Sequence, residues 1–513
     1  MKCRDCQQEF PLNKNDLLPA YRCPDCRVRL LLSFRNERSL YQRKCDLCKK
    51  DFIGVYPPDS SYKVYCSSCW WSDKWDPYQY KVNFNSEKSF LEQFNLLDHQ
   101  VPHLGMNTTD SENSDYCNFA DKQKDCYLVV NAAQNENLYY CERAFYSKDS
   151  LECNGLTNSQ LNYWNLSCRD SYHTYFSEFC ENMTDCWFCS NCKSCQNCFG
   201  SFGLRNQKFV FFNQQLSPEK YQEKVAEFKE QNIEEIKKQV YAHWLKFPHR
   251  YANVLLSEDV TGDNVTRSKN CSYVFDADEM EHSYHCYVGI KAKEAQYCVP
   301  ADEAERCYNN MSMWQSYNIH CSNTCWYGSD IMYSHNCMSG QHLFGCTGLQ
   351  KAKYCILNKK CQPEEYQKIK TQIIAQLKKD NIYGEYFPVS FNPFAYNETI
   401  AQEHYPLTKE QAIKLGYRWK EEKIIKTPGG CMSCGKLFKI IKQEKELYQK
   451  IGVAEPKKCY QCRYQERMQR RNPRQLYERE CMQKNCTKKL MSSYSVDRPE
   501  IIYCAEHFQQ EYN

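Results

Sequence analysis

With 513 residues, 42% of them hydrophobic and 25% charged, the chain is long enough for several domains and has the composition of a globular protein that can bury a core. No apolar run approaches the roughly 18 to 20 residues that cross a bilayer, and the opening MKCRDCQQEF lacks the apolar stretch and cleavage site of an export signal. These features read against a membrane or exported protein and predict a cytoplasmic one, while the net charge of +4 points to no partner by itself.

The 36 cysteines fall into two populations, 8 before residue 70 and 7 after residue 430 in knuckles, and the remainder between. Without an export signal, the knuckles read as zinc sites rather than disulfides. Cys3 and Cys6 precede Cys23 and Cys26 by 16 residues, and Cys45 and Cys48 precede Cys66 and Cys69 by 17. That is zinc-ribbon spacing: two tight turns aim four thiolates at one tetrahedral ion. Such closed sites stabilise small domains and leave no position for substrate. Residues 1–75 are therefore expected to form a double zinc ribbon, paired sequentially or in a cross-brace. Residues 76–110 follow as a linking strap, in which His99 and His103 read as ordinary polar histidines.

From there the chain is duplicated. CKSCQNCFGSFGLRNQKFVFFN at 192–213 returns as CMSGQHLFGCTGLQKAKYCILN at 337–358, an ungapped offset of 145 that also superposes Cys126 on Cys271, Cys153 on Cys298 and Cys180 on Cys325. A repeat of this kind has to be found before elements are assigned. Cysteines 27 residues apart (Cys126, Cys153, Cys180; Cys141, Cys168, Cys195) and short aromatic strands between turn residues predict a parallel β-solenoid, with cysteines stacking once per coil. Copy 1 spans 111–250 and copy 2 spans 251–420, each with a helix after its coils, from Pro218 to about Leu245 and from Pro363 to about Leu377. The helices are expected to cover the ends of the stacks. Cys186, Cys189, Cys192, Cys195 and Cys198 resemble a metal cluster, but copy 2 carries Ile331, Ser334, Cys337, Gly340 and Leu343 there, so these thiols read as core packing. Asp276, Asp278, Glu279, Glu281 and His282 form the one polar cluster that would suit a β-helix carbohydrate-active enzyme.

Residues 421–513 complete the chain as a second double zinc ribbon, with Cys431, Cys434, Cys459 and Cys462 in one site and Cys481, Cys486, Cys504 and His507 in the other. At an offset of 436, Arg27, Arg35, Arg38 and Arg43 recur as Arg463, Arg471, Arg474 and Arg479, so the two ends are copies of one module. From Lys423 to Glu480 there are nine Lys and six Arg against six Glu. Guanidinium forks on rigid ribbons suit phosphate, which makes these eight arginines candidate nucleic-acid contacts; bonds to carbonyls and carboxylates between ribbons are the structural alternative.

The CxxC-flanked ends, RNPRQLYERECMQ and CFGSFGLRNQKFVFFN resemble a family of cysteine-rich multi-zinc-ribbon proteins predicted from small-genome bacteria. The resemblance covers most of the chain and implies zinc binding without an activity; CMQKNC and His507 depart from its all-cysteine pattern. The expected protein is mainly β, a duplicated short solenoid flanked by double ribbons holding four structural zinc ions. Its expected function is a scaffold binding nucleic acid or a ribonucleoprotein through ribbon arginines, or else a protein partner through a solenoid face.

Overall fold

The computed structural model describes residues 1–10, 19, 21–284, 286–290, 317–421 and 427–512. It is mainly β, built around parallel coils, with helices few and peripheral. The chain divides into two compact units that do not follow chain order. One combines residues 1–106, 252–420 and 474–476; the other combines 107–251, 421–473 and 477–513. Each unit thus holds one ribbon pair and one solenoid copy, the N-terminal ribbons with copy 2 and the C-terminal ribbons with copy 1. Pro248–Arg250, at the end of copy 1, pairs in parallel with Ile501–Tyr503 of the last ribbon.

The solenoid expectation holds, but its period needs correction. Strands pair in parallel at a register of 12 residues, as in Tyr172↔Thr184, Gln196↔Lys208 and Gln341↔Lys353. Left-handed residues recur every third position, for example Asn131, Gln134, Asn137, Tyr140, Arg143 and Tyr146, with φ between 52° and 58°. Each triplet therefore runs one inward residue, one outward residue and one turn, and four triplets close a coil. A 27-residue step equals two coils plus one triplet, so Cys126 and Cys153 lie on neighbouring sides and do not stack. The left-handed conformation costs an L-residue roughly 1–2 kcal/mol, which favours Asn and Asp at many of these corners.

Inward positions show why the core is rich in Ser, Asn and Cys. Ser159 N donates to Ser147 Oγ at 3.3 Å, Ser171 N to Ser159 Oγ at 3.0 Å and Met183 N to Ser171 Oγ at 3.4 Å, so each hydroxyl serves an amide in the next coil. The same hydroxyls donate to carbonyls two residues back, as Ser159 does to Thr157 O at 2.7 Å. Buried backbone groups need such partners. Cysteine does part of this work as a thiol donor: Cys180 Sγ reaches Glu178 O at 3.3 Å and Cys189 O at 3.4 Å. Burial raises the Cys141, Cys180, Cys189, Cys337 and Cys346 thiols well above their ordinary range, keeping them protonated. Among the described residues no solenoid cysteines converge as a metal-ligand group, which agrees with packing. Cys298 lies outside the described residues.

Copy 1 is followed by two helices rather than one, Pro218–Lys229 and Ile233–Trp244. Ser217 caps the first by accepting from Lys220 N and Asn232 caps the second by accepting from Glu234 N. They cover an aromatic side of the stack, where Phe228 meets Phe199 and Phe211 at 5.6 and 5.2 Å. Copy 2 carries Pro363–Lys379. Each stack itself closes with an antiparallel turn, Val210↔Gln215 and Cys355↔Lys360. The strap is not a loose linker: its helix Phe90–Gln100 packs Phe90 on Phe344 and Phe94 on Phe387.

Candidate metal centres and the ribbon arginines

Four groups of ligand atoms each lie within 4.8 Å of one another: Cys3, Cys6, Cys23, Cys26; Cys45, Cys48, Cys66, Cys69; Cys431, Cys434, Cys459, Cys462; and Cys481, Cys486, Cys504, His507. The pairing is sequential. All four sites are built alike. In the first three, the backbone folds back after the knuckle through a left-handed residue, Gln7, Lys49 or Gly435, whose amide donates to the carbonyl of the first cysteine. In the widened CMQKNC knuckle, Asn485 takes the left-handed conformation instead, at φ 66°.

The third ligand stands at a helix N-terminus each time, before Pro24–Ser33, Ser67–Trp70, Tyr460–Arg470 and Ala505–Tyr512. Its amide donates to the first sulfur: Cys23 N to Cys3 Sγ at 3.3 Å, Cys66 N to Cys45 Sγ at 3.4 Å, Cys459 N to Cys431 Sγ at 3.1 Å and Cys504 N to Cys481 Sγ at 3.3 Å. Helix N-termini and amide donors favour thiolate over thiol. Burial opposes ionisation of Cys431, but the amides of Cys459, Cys434 and Ser433 outweigh it and bring the thiol down to about 6. His507 Nδ1 lies 3.5 Å from Cys481 Sγ and 3.2 Å from Cys504 Sγ. A converging thiolate set of this kind, with amides in support, fits a metal ion in all four sites.

The candidate phosphate-binding arginines are largely engaged within the protein. Arg27 is buried; Arg35 is buried against Glu37 at 2.5 Å, and Arg38 meets Glu403 at 3.0 Å. Arg43 reaches the carbonyls of Tyr56 and Pro57 at 3.5 and 3.4 Å, and its counterpart Arg479 reaches those of Tyr494 and Ser495. Arg463 pairs with Glu152 at 2.5 Å and Glu444 at 3.4 Å, and Arg474 with Asp276 at 2.9 Å. Arg471 ends the helix, its amide on Met468 O. Sequence reading missed two more, Arg467 and Arg470. Arg467 is completely buried against Glu152. Arg470 holds both oxygens of Glu178 at 2.9 and 3.2 Å and lies 3.7 Å over the Tyr241 ring. Their spacing with Arg463, at i+4 and i+7 on one helix face, was the available signal.

In the proposed carbohydrate cluster, Asp276 accepts from Asn264 and Arg474 and both Asp278 and Glu279 hold Arg267, so three of its members serve ion pairs. His103 and His335 instead flank the buried Asp98 carboxylate, at 3.5 and 3.1 Å, in the core of their unit. Burial favours the neutral acid, yet these two histidines and Thr347 hold Asp98 down at about 2. No described helix is long and apolar enough to cross a membrane. Comparison with protein-family models and with curated proteins gives no match.

Proposed function

We propose that the protein is a non-catalytic scaffold in which four zinc ions shape the ribbons, the ribbons clasp the solenoids, and uncovered solenoid surface binds a protein partner. The supporting observation is where the arginines go. Arg463, Arg467 and Arg470 meet Glu152 and Glu178 of copy 1, within one unit. A guanidinium buried against a carboxylate is not available to a phosphate, whereas nucleic-acid binding through these ribbons needs forks facing solvent. Four thiolate-rich tetrads with no open position suit zinc in a structural role.

The test combines metal analysis with a variant. Four zinc ions per chain are expected, and replacing Arg463, Arg471, Arg474 and Arg479 together with Gln should lower the melting temperature and release zinc early. RNA or DNA binding by the parent that weakens steeply with salt, and is lost in this variant at unchanged stability, would overturn the reading in favour of nucleic acid.

A further inference from the structure

The second ribbon of each pair, 45–69 and 481–507, also holds a strand from outside itself. Just before its third ligand, the N-terminal one pairs Val64–Tyr65 in parallel with His103–Leu104, and the C-terminal one pairs Ile501–Tyr503 in parallel with Pro248–Arg250. The two pairings are the same contact. Past the two-residue insertion Tyr65 corresponds to Tyr503, and the amide of Gly105 donates to Tyr65 O as that of Tyr251 does to Tyr503 O, each at 3.0 Å. Each held strand leads into a solenoid copy, the first into Thr108–Thr109 and the second into Val254–Leu255. Each also stands where the chain leaves one unit for the other, since a segment of one unit ends at residue 106 and a segment of the other at 251. A two-stranded sheet is marginal on its own, so whatever fixes the ribbon strand fixes the crossing. The next residue in each case is a metal ligand, Cys66 or Cys504.

The two clasps differ in what else secures them. At the first, His103 is tied into buried side chains: Tyr56 Oη lies 3.2 Å from its Nδ1 and the Asp98 carbonyl 2.9 Å from its Nε2, while Trp70 Nε1 donates to Pro102 O at 3.2 Å. The residue in register at the second is His249, opposite Ile502 as His103 is opposite Val64. Its Nε2 is buried with no hydrogen-bond partner among the described residues, and Tyr494, the counterpart of Tyr56, meets its ring at 5.9 Å. The side-chain bonds to this strand from Tyr512, to Pro248 O, and from Ser492, to Tyr251 O, come from the metal-bearing ribbon itself. The metal sites differ in the same sense. At 45–69 four cysteines close on a knuckle two residues wide, and the Lys49 amide folds back to Cys45 O at 3.0 Å. At 481–507 the knuckle is four residues wide, a histidine stands in place of the last thiolate, and the Cys486 amide turns to Gln483 O instead. A longer loop between ligands costs more entropy to close, and weaker support behind the ligands lowers metal affinity.

We propose that the fourth metal site is a releasable clasp. With its ion bound, the ribbon pins the strand that carries the chain from copy 1 into copy 2; loss of that ion alone frees the strand, while the clasp before copy 1 stays shut. Metal binding and local folding are one equilibrium in a ribbon this small, so the link between the copies follows the zinc available to Cys481, Cys486, Cys504 and His507. This rests on the metal-shaped ribbons of the reading above, and adds that one of the four ions is exchangeable and controls a defined segment.

The whole chain, loaded with zinc, is titrated with a zinc chelator while released ions are counted and hydrogen exchange is followed. The first equivalent to leave should take with it the protection of 249–251 and 501–503, with 64–65, 103–105 and the coil strands still protected. Returned zinc should restore both. Cys486→Ser should begin one ion short with 249–251 already exchanging, whereas Cys48→Ser at the twin site should also lose an ion but leave 249–251 shut. Slow exchange at 249–251 after the first ion has gone, earlier opening of 103–105, or four ions leaving in one step would each overturn the clasp and leave the metal-shaped ribbons standing. Two ions or fewer in the untreated protein would remove that reading and the clasp with it.

Discussion

The two ribbon helices come from one module and solve one docking problem with opposite chemistry. In the C-terminal helix Tyr460–Arg470, Arg463, Arg467 and Arg470 bind acidic side chains of copy 1. In the N-terminal helix Pro24–Ser33, Leu31 stands at the position of Arg467, and just past its end Phe34 stands at that of Arg470. Leu30, Leu31 and Leu32 are buried, and Phe34 packs on Tyr386 and Phe387, from which Phe387 continues to Phe94 and His335. In sequence, copy 2 has Tyr287 and Asn323 where copy 1 has Glu142 and Glu178, so the carboxylate that Glu178 offers Arg470 has no counterpart in copy 2. A buried ion pair adds little net stability over an apolar contact, so the ionic version is better understood as specificity. An arginine helix set against copy 2 would leave guanidinium groups without carboxylates, and a leucine helix set against copy 1 would bury glutamates alone.

Metal removal should break both arrangements, with the largest effect. Structural zinc contributes about 10–16 kcal/mol per site near pH 7. Chelation should therefore unfold both ribbon pairs whichever chemistry docks them, and hydrogen exchange should rise in 24–33 and 460–470 while the coil strands stay protected. Strands that lose protection at the same rate would mean that ribbon and solenoid fold as one unit.

A more selective break is Glu152→Ala, which leaves Arg467 without its carboxylate and Arg463 with Glu444 only. The loss should be about 3–5 kcal/mol, read by hydrogen exchange in 130–180 and 440–470, with the N-terminal ribbon unchanged. Glu152→Leu combined with Arg467→Leu imports the residue type of Leu31 and should recover at least half of it. If the pair is no better than Glu152→Ala, the apolar and ionic versions are not interchangeable.

Acid should probe both units at once. Burial holds His249 in one unit and His320 in the other down at about 4. A histidine whose folded pKa lies below its unfolded value of about 6.5 stabilises the fold fully above that value and loses the contribution as pH falls towards 4. The loss is about 3 kcal/mol for each. Asp98, held near 2, stays ionised across this window and should add a loss only below about pH 4. Urea melts from pH 7 to 4 on the parent and on His249→Gln check this, the variant removing the acid step from one unit alone. A pH-independent midpoint in the parent would mean that neither imidazole is buried neutral.

How far the sequence discloses these features depends on their range. The metal tetrads were legible because a knuckle is local: the left-handed residue after Cys6, Cys48 and Cys434 and the helix start at Cys23, Cys66 and Cys459 lie within a few positions of the ligands. The solenoid was legible as a repeat but its pitch was not, because cysteine occupies only some inward positions and its 27-residue spacing samples every ninth triplet. Counting Ser147, Ser159 and Ser171 with the cysteines would have exposed the 12-residue coil. The arginines misled because an ion pair between Arg470 and Glu178 joins residues 292 apart in sequence, and one strand of text cannot display a partner at that distance. The exchange of ribbons between copies is hidden for the same reason.

The smallest expected effect tests whether a cysteine inside the coil is there for packing. Copy 2 has already made the substitution at the position of Cys189, where Ser334 donates to Met332 O at 2.9 Å and accepts from Cys346 N at 3.0 Å. In copy 1 the Cys189 thiol donates to the carbonyls of Trp187 and Cys198, both at 3.6 Å. A shorter hydroxyl can take over the first of these bonds and leaves slightly more void, so Cys189→Ser should cost no more than about 1–2 kcal/mol. The metal content should not change. Cys462→Ser, at a ribbon tetrad, should lose one metal equivalent. If Cys189→Ser also lost an equivalent, the thiols of copy 1 would be ligands after all, and the divergence of copy 2 at Ile331, Gly340 and Leu343 would record the loss of a metal site rather than freedom in the core.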